Sequence, residues 1–315
     1  MFGKSFKENT IMKYTILACF LVFGIISATA RAPFDFDGDG KTDISVYRRP
    51  TGEWFYRSSM DGSWASIQFG TATDTIAPAD YTGDGKDDFA FYRPSTGEWF
   101  IVRSENFSYY AFPFGLAEDK PMPADYDGDG KADPAVYRPS MSRYFVLRST
   151  GGVSYVPWGV VGDRTAPAAD YDGDGKADFA VLEQCCSFKW RILGSSAGPL
   201  YYEFNIGGSP IAGDYTGDGK ADLSWFNSSS GEWRFRRSED GVESTIQTGG
   251  PTGCRLAPGD YDGDGKFDPG LRVVGQVQSN WQIRYSSDGA VVRYTFGLPD
   301  DRDQAIAGTF LNSCS

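Results

Sequence analysis

The chain has 315 residues, carries 42 acidic against 30 basic side chains for a formal charge of −12, and contains no histidine. The negative excess argues against a nucleic-acid partner, and the missing imidazole excludes histidine-dependent triads, proton transfer and metal ligation. Its 39 glycines and 17 prolines suit a turn-rich, all-β chain.

The first predicted element is a secretory signal over residues 1–30. Lys4, Lys7 and Lys13 precede an apolar run from Tyr14 to Ile26 and the small residues Ala28-Thr29-Ala30, the order of an n-region, h-region and cleavage site, with cleavage expected after Ala30. Met12 is an alternative start. Cys19 lies inside the apolar run, which makes lipidation the minor reading. No other segment is apolar enough to span a membrane, so the expected location is extracellular or at the cell surface.

An acidic nonapeptide, Asp-x-(Asp/Thr)-Gly-Asp-Gly-Lys-x-Asp, then recurs six times, starting at Asp35, Asp80, Asp125, Asp170, Asp214 and Asp260, with spacings of 45, 45, 45, 44 and 46 residues. Such a period marks an array of one structural unit. Oxygens at positions 1, 3, 5 and 9, with the backbone carbonyl of position 7, can converge on a hard cation where glycines let the chain coil. The ligand sets expected are Asp35, Asp37, Asp39, Lys41 and Asp43; Asp80, Thr82, Asp84, Lys86 and Asp88; Asp125, Asp127, Asp129, Lys131 and Asp133; Asp170, Asp172, Asp174, Lys176 and Asp178; Asp214, Thr216, Asp218, Lys220 and Asp222; and Asp260, Asp262, Asp264, Lys266 and Asp268.

Calcium, up to six ions, fits this chemistry better than magnesium, which demands a strict octahedron and retains its waters. Asp/Gly-rich turns also form without metal, but a turn does not need three or four carboxylates in fixed register. An EF-hand is excluded, because position 12 is Val46, Phe91, Val136, Val181, Trp225 or Leu271 in place of a bidentate Glu. Thr82 and Thr216 replace a carboxylate at position 3, so the second and fifth loops are expected to bind more weakly.

Each unit reads as four short strands. In the second, residues 76–79 enter the loop, 89–92 leave it, and 97–103 and 108–115 follow, separated by turn residues such as Pro94-Ser95-Thr96-Gly97. Four strands in about 45 residues make a propeller blade, and one blade cannot cover its own two faces. The expected fold is an all-β, six-bladed propeller over residues 31–315. The segment Gln304 to Phe310 matches the innermost strand beginning at Ser209. It is either a closing strand or the remnant of a seventh blade.

Phe69-Gly70 to Ala77-Pro78, Phe114-Gly115 to Met122-Pro123 and Phe296-Gly297 to Ile306-Ala307, with the acidic loops that continue them, resemble the FG-GAP repeats of integrin α-chain propellers. They are also similar to the bacterial VCBS repeats. That resemblance covers nearly all of Arg31 to Phe310 and implies a calcium-binding propeller, with the ion held in the loop between a blade's first two strands. Integrin propellers depart from this chain in having seven blades and calcium in only some.

An aromatic recurs in every third strand: Trp54, Trp99, Tyr144, Trp190, Trp233 and Trp281. A wedge filling the gap between blades is the expected role, with sugar stacking as the alternative. Arg48, Arg93 and Arg138, each after a tyrosine, are expected to stack on aromatic neighbours. Cys185, Cys186, Cys254 and Cys314 allow three pairings, among them a vicinal bridge or one from Cys185 or Cys186 to Cys254. No catalytic signature stands out. The expectation is a secreted binding or adhesion module with a protein or glycan ligand on a ring face; a carbohydrate-binding lectin and a secreted carbohydrate-active enzyme are the alternatives.

Overall fold

Burial falls from the inner to the outer strand of each unit, and that gradient follows the sequence. Phe89-Ala-Phe-Tyr is buried on both faces, Glu98–Val102 alternates, and Tyr109–Pro113 leaves every second side chain in water. Strands covered on both sides read as continuous apolar runs, whereas a strand with one open face alternates.

The structure, a computed structural model, describes residues 31–183, 189–203, 209–249, 254–275, 277–298 and 303–306. The expected signal segment, Cys185, Cys186, Cys314 and the chain after Ile306 lie outside the described residues. Among those residues no helix is long and apolar enough to cross a membrane.

Six antiparallel sheets of four strands form a ring. Blade 1 contains β1 (Ile44–Arg48), β2 (Glu53–Arg57) and β3 (Trp64–Gln68). Blade 2 follows as β4 (Thr75–Ile76), β5 (Phe89–Arg93), β6 (Glu98–Val102) and β7 (Tyr109–Pro113). Blade 3 is β8 (Lys120–Pro121), β9 (Ala135–Arg138), β10 (Arg143–Leu147) and β11 (Val153–Pro157). Blade 4 is β12 (Arg164–Thr165), β13 (Phe179–Glu183), β14 (Lys189–Gly194) and β15 (Gly198–Glu203). Blade 5 is β16 (Ser209–Gly213), β17 (Asp222–Asn227), β18 (Glu232–Arg236) and β19 (Glu243–Gln247). Blade 6 is β20 (Arg255–Leu256), β21 (Gly270–Val273), β22 (Asn280–Arg284) and β23 (Val291–Thr295).

The fourth strand of blade 1 comes from the far end of the chain. β24 (Asp303–Ala305) pairs with β1 in the register Val46↔Ala305, Tyr47↔Gln304 and Arg48↔Asp303. Ile306 extends that pairing, donating its N–H to the Ser45 carbonyl at 3.0 Å. The ring therefore has six blades.

The recurrent third-strand aromatics are fully buried in all six blades, which assigns them to packing and leaves no face for a sugar. Several also tie the blade together: the indole N–H groups of Trp54, Trp99 and Trp281 donate to the carbonyls of Phe69, Phe114 and Phe296. The phenylalanine of each Phe-Gly pair thus anchors the turn into the next blade. Gly52 shows how tight this join is, since a Cβ there would lie 2.2 Å from the Gly70 carbonyl oxygen.

Candidate metal centre

The acidic nonapeptides connect the first and second strands of blades 2 to 6, and in blade 1 the loop leads directly into β1. Their glycines permit the coil: Gly38 has φ +82°, and a Cβ on it would meet the Lys86 side chain at 2.8 Å. At position 1, one carboxylate oxygen accepts the N–H of the first loop glycine and the other that of the second. The distances are 2.5–2.9 Å in every loop.

Position 9 is the buried end of the site. Asp43, Asp88, Asp133, Asp178, Asp222 and Asp268 have no exposed surface. One oxygen of each accepts the N–H of loop position 2, at 2.8–3.0 Å. The other accepts an N–H from the turn between the third and fourth strands, given by Ser59, Ser104, Ser149, Ser195, Ser238 and Ser286 at 2.6–2.8 Å. Burial pushes Asp43 and Asp268 up to about 7 and Asp88, Asp178 and Asp222 up to about 6, with neighbouring loop carboxylates adding to the rise.

Position 5 is tied to its own loop and to the serine turn, and joins a carboxylate cluster only in loop one, through Asp39. Each of these aspartates accepts the N–H of its own loop lysine and the hydroxyl of the turn serine. At position 3, Asp37, Asp127, Asp172 and Asp262 each take a hydroxyl from the same turn, from Ser58, Thr150, Ser196 and Ser287, on one oxygen. The second oxygen of Asp127 and of Asp172 is buried with no hydrogen-bond partner. A buried anionic oxygen left this way is costly unless a cation meets it.

Carboxylate oxygens converge to within 4.8 Å of one another in four places: Asp35, Asp37 and Asp39; Asp125, Asp127 and Asp133; Asp170, Asp172 and Asp178; Asp260, Asp262 and Asp268. These are the four loops with aspartate at position 3. In the second and fifth, the Thr82 and Thr216 hydroxyls instead point at Asp80 and Asp214, at 3.3 and 3.4 Å. The clusters can hold metal ions, and their all-oxygen donor set suits a hard cation. The serine turn lies outside the expected ligand sets, although a serine recurs 16 to 18 residues after each ninth-position aspartate.

The loops are also linked to one another. The position-8 N–H donates to the position-1 carbonyl of the preceding loop at 2.6–2.7 Å, through Asp87 to Asp35, Ala132 to Asp80, Ala177 to Asp125, Ala221 to Asp170, Phe267 to Asp214 and finally Thr42 to Asp260. Each position-7 lysine lies over the first loop glycine of that preceding loop, and the Lys86 ammonium donates to the Asp37 carbonyl at 2.8 Å. Six acidic loops, four of them carrying a carboxylate cluster, thus form a continuous circle on one face of the ring.

The expected stacking of arginine on aromatic rings is present, with Arg48 over Phe55, Arg93 over Phe100 and Arg138 over Phe145 at 4.2–4.5 Å. The last two also close on a buried aspartate with paired hydrogen bonds, Arg93 on Asp74 and Arg138 on Asp119.

The FG-GAP-like repeat family matches residues 35–91 and 214–268, segments that begin at the first aspartates of loops one and five. Among solved structures, a protein of unknown function from Bacteroides caccae is 12% identical, with a TM-score of 0.53 over 83% of this chain and 96% of its own. An Agrocybe aegerita lectin that recognises non-reducing terminal N-acetylglucosamine is 15% identical, with a TM-score of 0.50 over 85% of this chain and 84% of its own. At these identities the likeness is one of fold. No curated protein matches the sequence.

Proposed function

We propose that this chain, whose FG-GAP-like repeats build a six-bladed β-propeller, is an exported calcium-binding scaffold that acts as a binding or adhesion module. The observation that carries this reading is the pair of partnerless buried oxygens on Asp127 and Asp172, each inside a cluster of three carboxylates. Position 1, 3 and 9 carboxylates would hold the ion in loops three, four and six, and positions 1, 3 and 5 in loop one. Bound calcium would supply positive charge that favours the ionised form of the buried ninth-position carboxylates, which burial otherwise disfavours.

The protein's own residues do the rest. The turn serines hold the ninth- and fifth-position aspartates in place, and the inter-loop hydrogen bonds transmit each loop's order to the next. Millimolar calcium outside the cell suits such a device, and the signal-like segment before Arg31 suits export. The role assigned is recognition, not catalysis, with the partner on a ring face where loops vary between blades.

The test is calcium titration by calorimetry together with thermal melting in calcium and in EDTA. Binding near four equivalents and a lower Tm in EDTA are expected. An unchanged transition in chelator would overturn the calcium reading.

A further inference from the structure

The repeat is broken most deeply in blade 4. In blades 2 and 3, the last residue of the second strand is arginine, which stacks on a third-strand phenylalanine and clamps the aspartate before the innermost strand. Blade 4 inverts this arrangement. Its second strand ends in Glu183, and Arg191 stands where Phe100 and Phe145 stand, directly opposite Val181 as they are opposite Phe91 and Val136.

Glu183 follows in register from the Arg164↔Leu182 pair, so it lies opposite Asp163, the counterpart of Asp74 and Asp119. Two acids facing each other would repel. Arg191 reaches in from the third strand to meet both, at 2.8 Å from Glu183 and 3.6 Å from Asp163. A ring that lies under an arginine is thereby exchanged for a guanidinium turned toward carboxylates.

A cleft of about 640 Å³ lies at this place, where blade 3 meets blade 4. A third departure lines it: Trp158 replaces the phenylalanine of Phe69-Gly70 and Phe114-Gly115. Its indole N–H donates to the Arg191 carbonyl at 3.0 Å. Tyr201, two-thirds exposed, lies beside it with ring centroids 6.2 Å apart and planes tilted by 35°. The remaining polar lining is Glu183 and Arg191, already paired, and Lys189 and Glu203, paired at 2.6 Å.

We infer that this cleft is a binding site for a neutral saccharide, an inference that rests on the reading of the protein as a binding module. The electron-rich faces of Trp158 and Tyr201 match the weakly positive C–H face of a sugar ring. The Glu183 and Arg191 side chains offer planar, mutually oriented acceptors and donors for vicinal hydroxyls. The four lining charges are taken up in two ion pairs, so no lone cation or anion faces a ligand in the cleft. A few fixed polar groups beside aromatic walls are what a small-molecule site requires.

The test uses the calcium-loaded protein on an array of neutral hexose and N-acetylhexosamine oligosaccharides, followed by calorimetry with the tightest-bound oligosaccharide. Tyr201→Ala changes an exposed side chain and should leave the melting temperature intact while weakening binding about tenfold or more. Glu183→Gln should weaken it similarly. Tyr155→Ala removes the counterpart of Tyr201 one blade earlier, also exposed, and should leave affinity unchanged. Absence of saccharide binding, or affinity unaltered by both Tyr201→Ala and Glu183→Gln, would overturn this assignment. Because calcium dependence is read from melting, either result can occur with the calcium reading intact.

Discussion

The backbone N–H of Thr42 lies 2.6 Å from the carbonyl oxygen of Asp260, so the first acidic loop is bonded to the sixth as each later loop is bonded to its predecessor. Order gained in one loop therefore has a neighbour on either side to reach. Melting in EDTA and in excess calcium should differ sharply, since an ion that binds only the folded state adds about 2.7 kcal/mol per independent site at a hundredfold excess over Kd. Scanning calorimetry checks this, and coincident transitions in the two conditions would contradict it.

Asp127→Asn keeps the side chain's shape and removes one charge from a cluster that holds a partnerless oxygen. Calcium titration should lose one tight site, with affinity there reduced about tenfold or more. The metal-free protein should melt at the same temperature or slightly higher, because a half-buried carboxylate with one partnerless oxygen has lost its charge. A lower melting point in EDTA would mean that the carboxylate serves the fold instead.

Thr82→Asp and Thr216→Asp supply the missing third-position carboxylates. Each should add one equivalent to the tight class seen by calorimetry and raise the Tm in calcium. If neither changes the stoichiometry, position 3 does not distinguish the loops.

Without metal, stability should fall as pH rises from about 4 to about 7. The buried carboxyls of Asp43 and Asp268 are pushed up to about 7, and those of Asp88, Asp178 and Asp222 up to about 6, from a starting value of 3.8. An acid whose folded value exceeds its unfolded value holds its proton more tightly when folded. Its favourable contribution is complete below the unfolded value and is lost as pH climbs through the folded one. Urea denaturation across this range in EDTA should show the decline, and excess calcium should flatten it. A flat profile in EDTA would contradict the burial effect.

Arg93→Glu should destabilise blade 2 by about 2 kcal/mol or more, since it leaves the buried Asp74 carboxylate facing a like charge. Adding Phe100→Arg recreates the arrangement of Glu183, Arg191 and Asp163. The double variant should recover part of that loss. Denaturation curves of the two single variants and the double give the coupling, and zero coupling would show that the blade 4 exchange is not a compensating pair.

The blades and the ring size were legible because their signals are local: a fixed period, strand runs of four to six residues, and glycine-rich loops that recur intact. The position-3 distinction was legible too, as Asp37, Asp127, Asp172 and Asp262 each join a cluster. The serine turn was not, because Ser104 reaches Asp88 only once the hairpin between them has a register. The same holds for Arg93 and Asp74. The stacking of Arg93 on an aromatic ring could be anticipated from the sequence, but its clamp on Asp74 depends on β4 lying beside β5. Six closely similar units also masked the blade 4 exchange, visible only when the chain folds Arg191 between two acids.

The pairing of β24 with β1 sets the order in which the molecule can become whole. Val46 leaves the ribosome five blades before Ala305, its partner in the sheet. Until that strand arrives, blade 1 presents an open edge along its most apolar strand, ready to accept any extended segment. The nascent propeller is therefore most vulnerable to wrong pairing not at its growing end but at its first blade, and for the whole interval between the synthesis of β1 and that of β24.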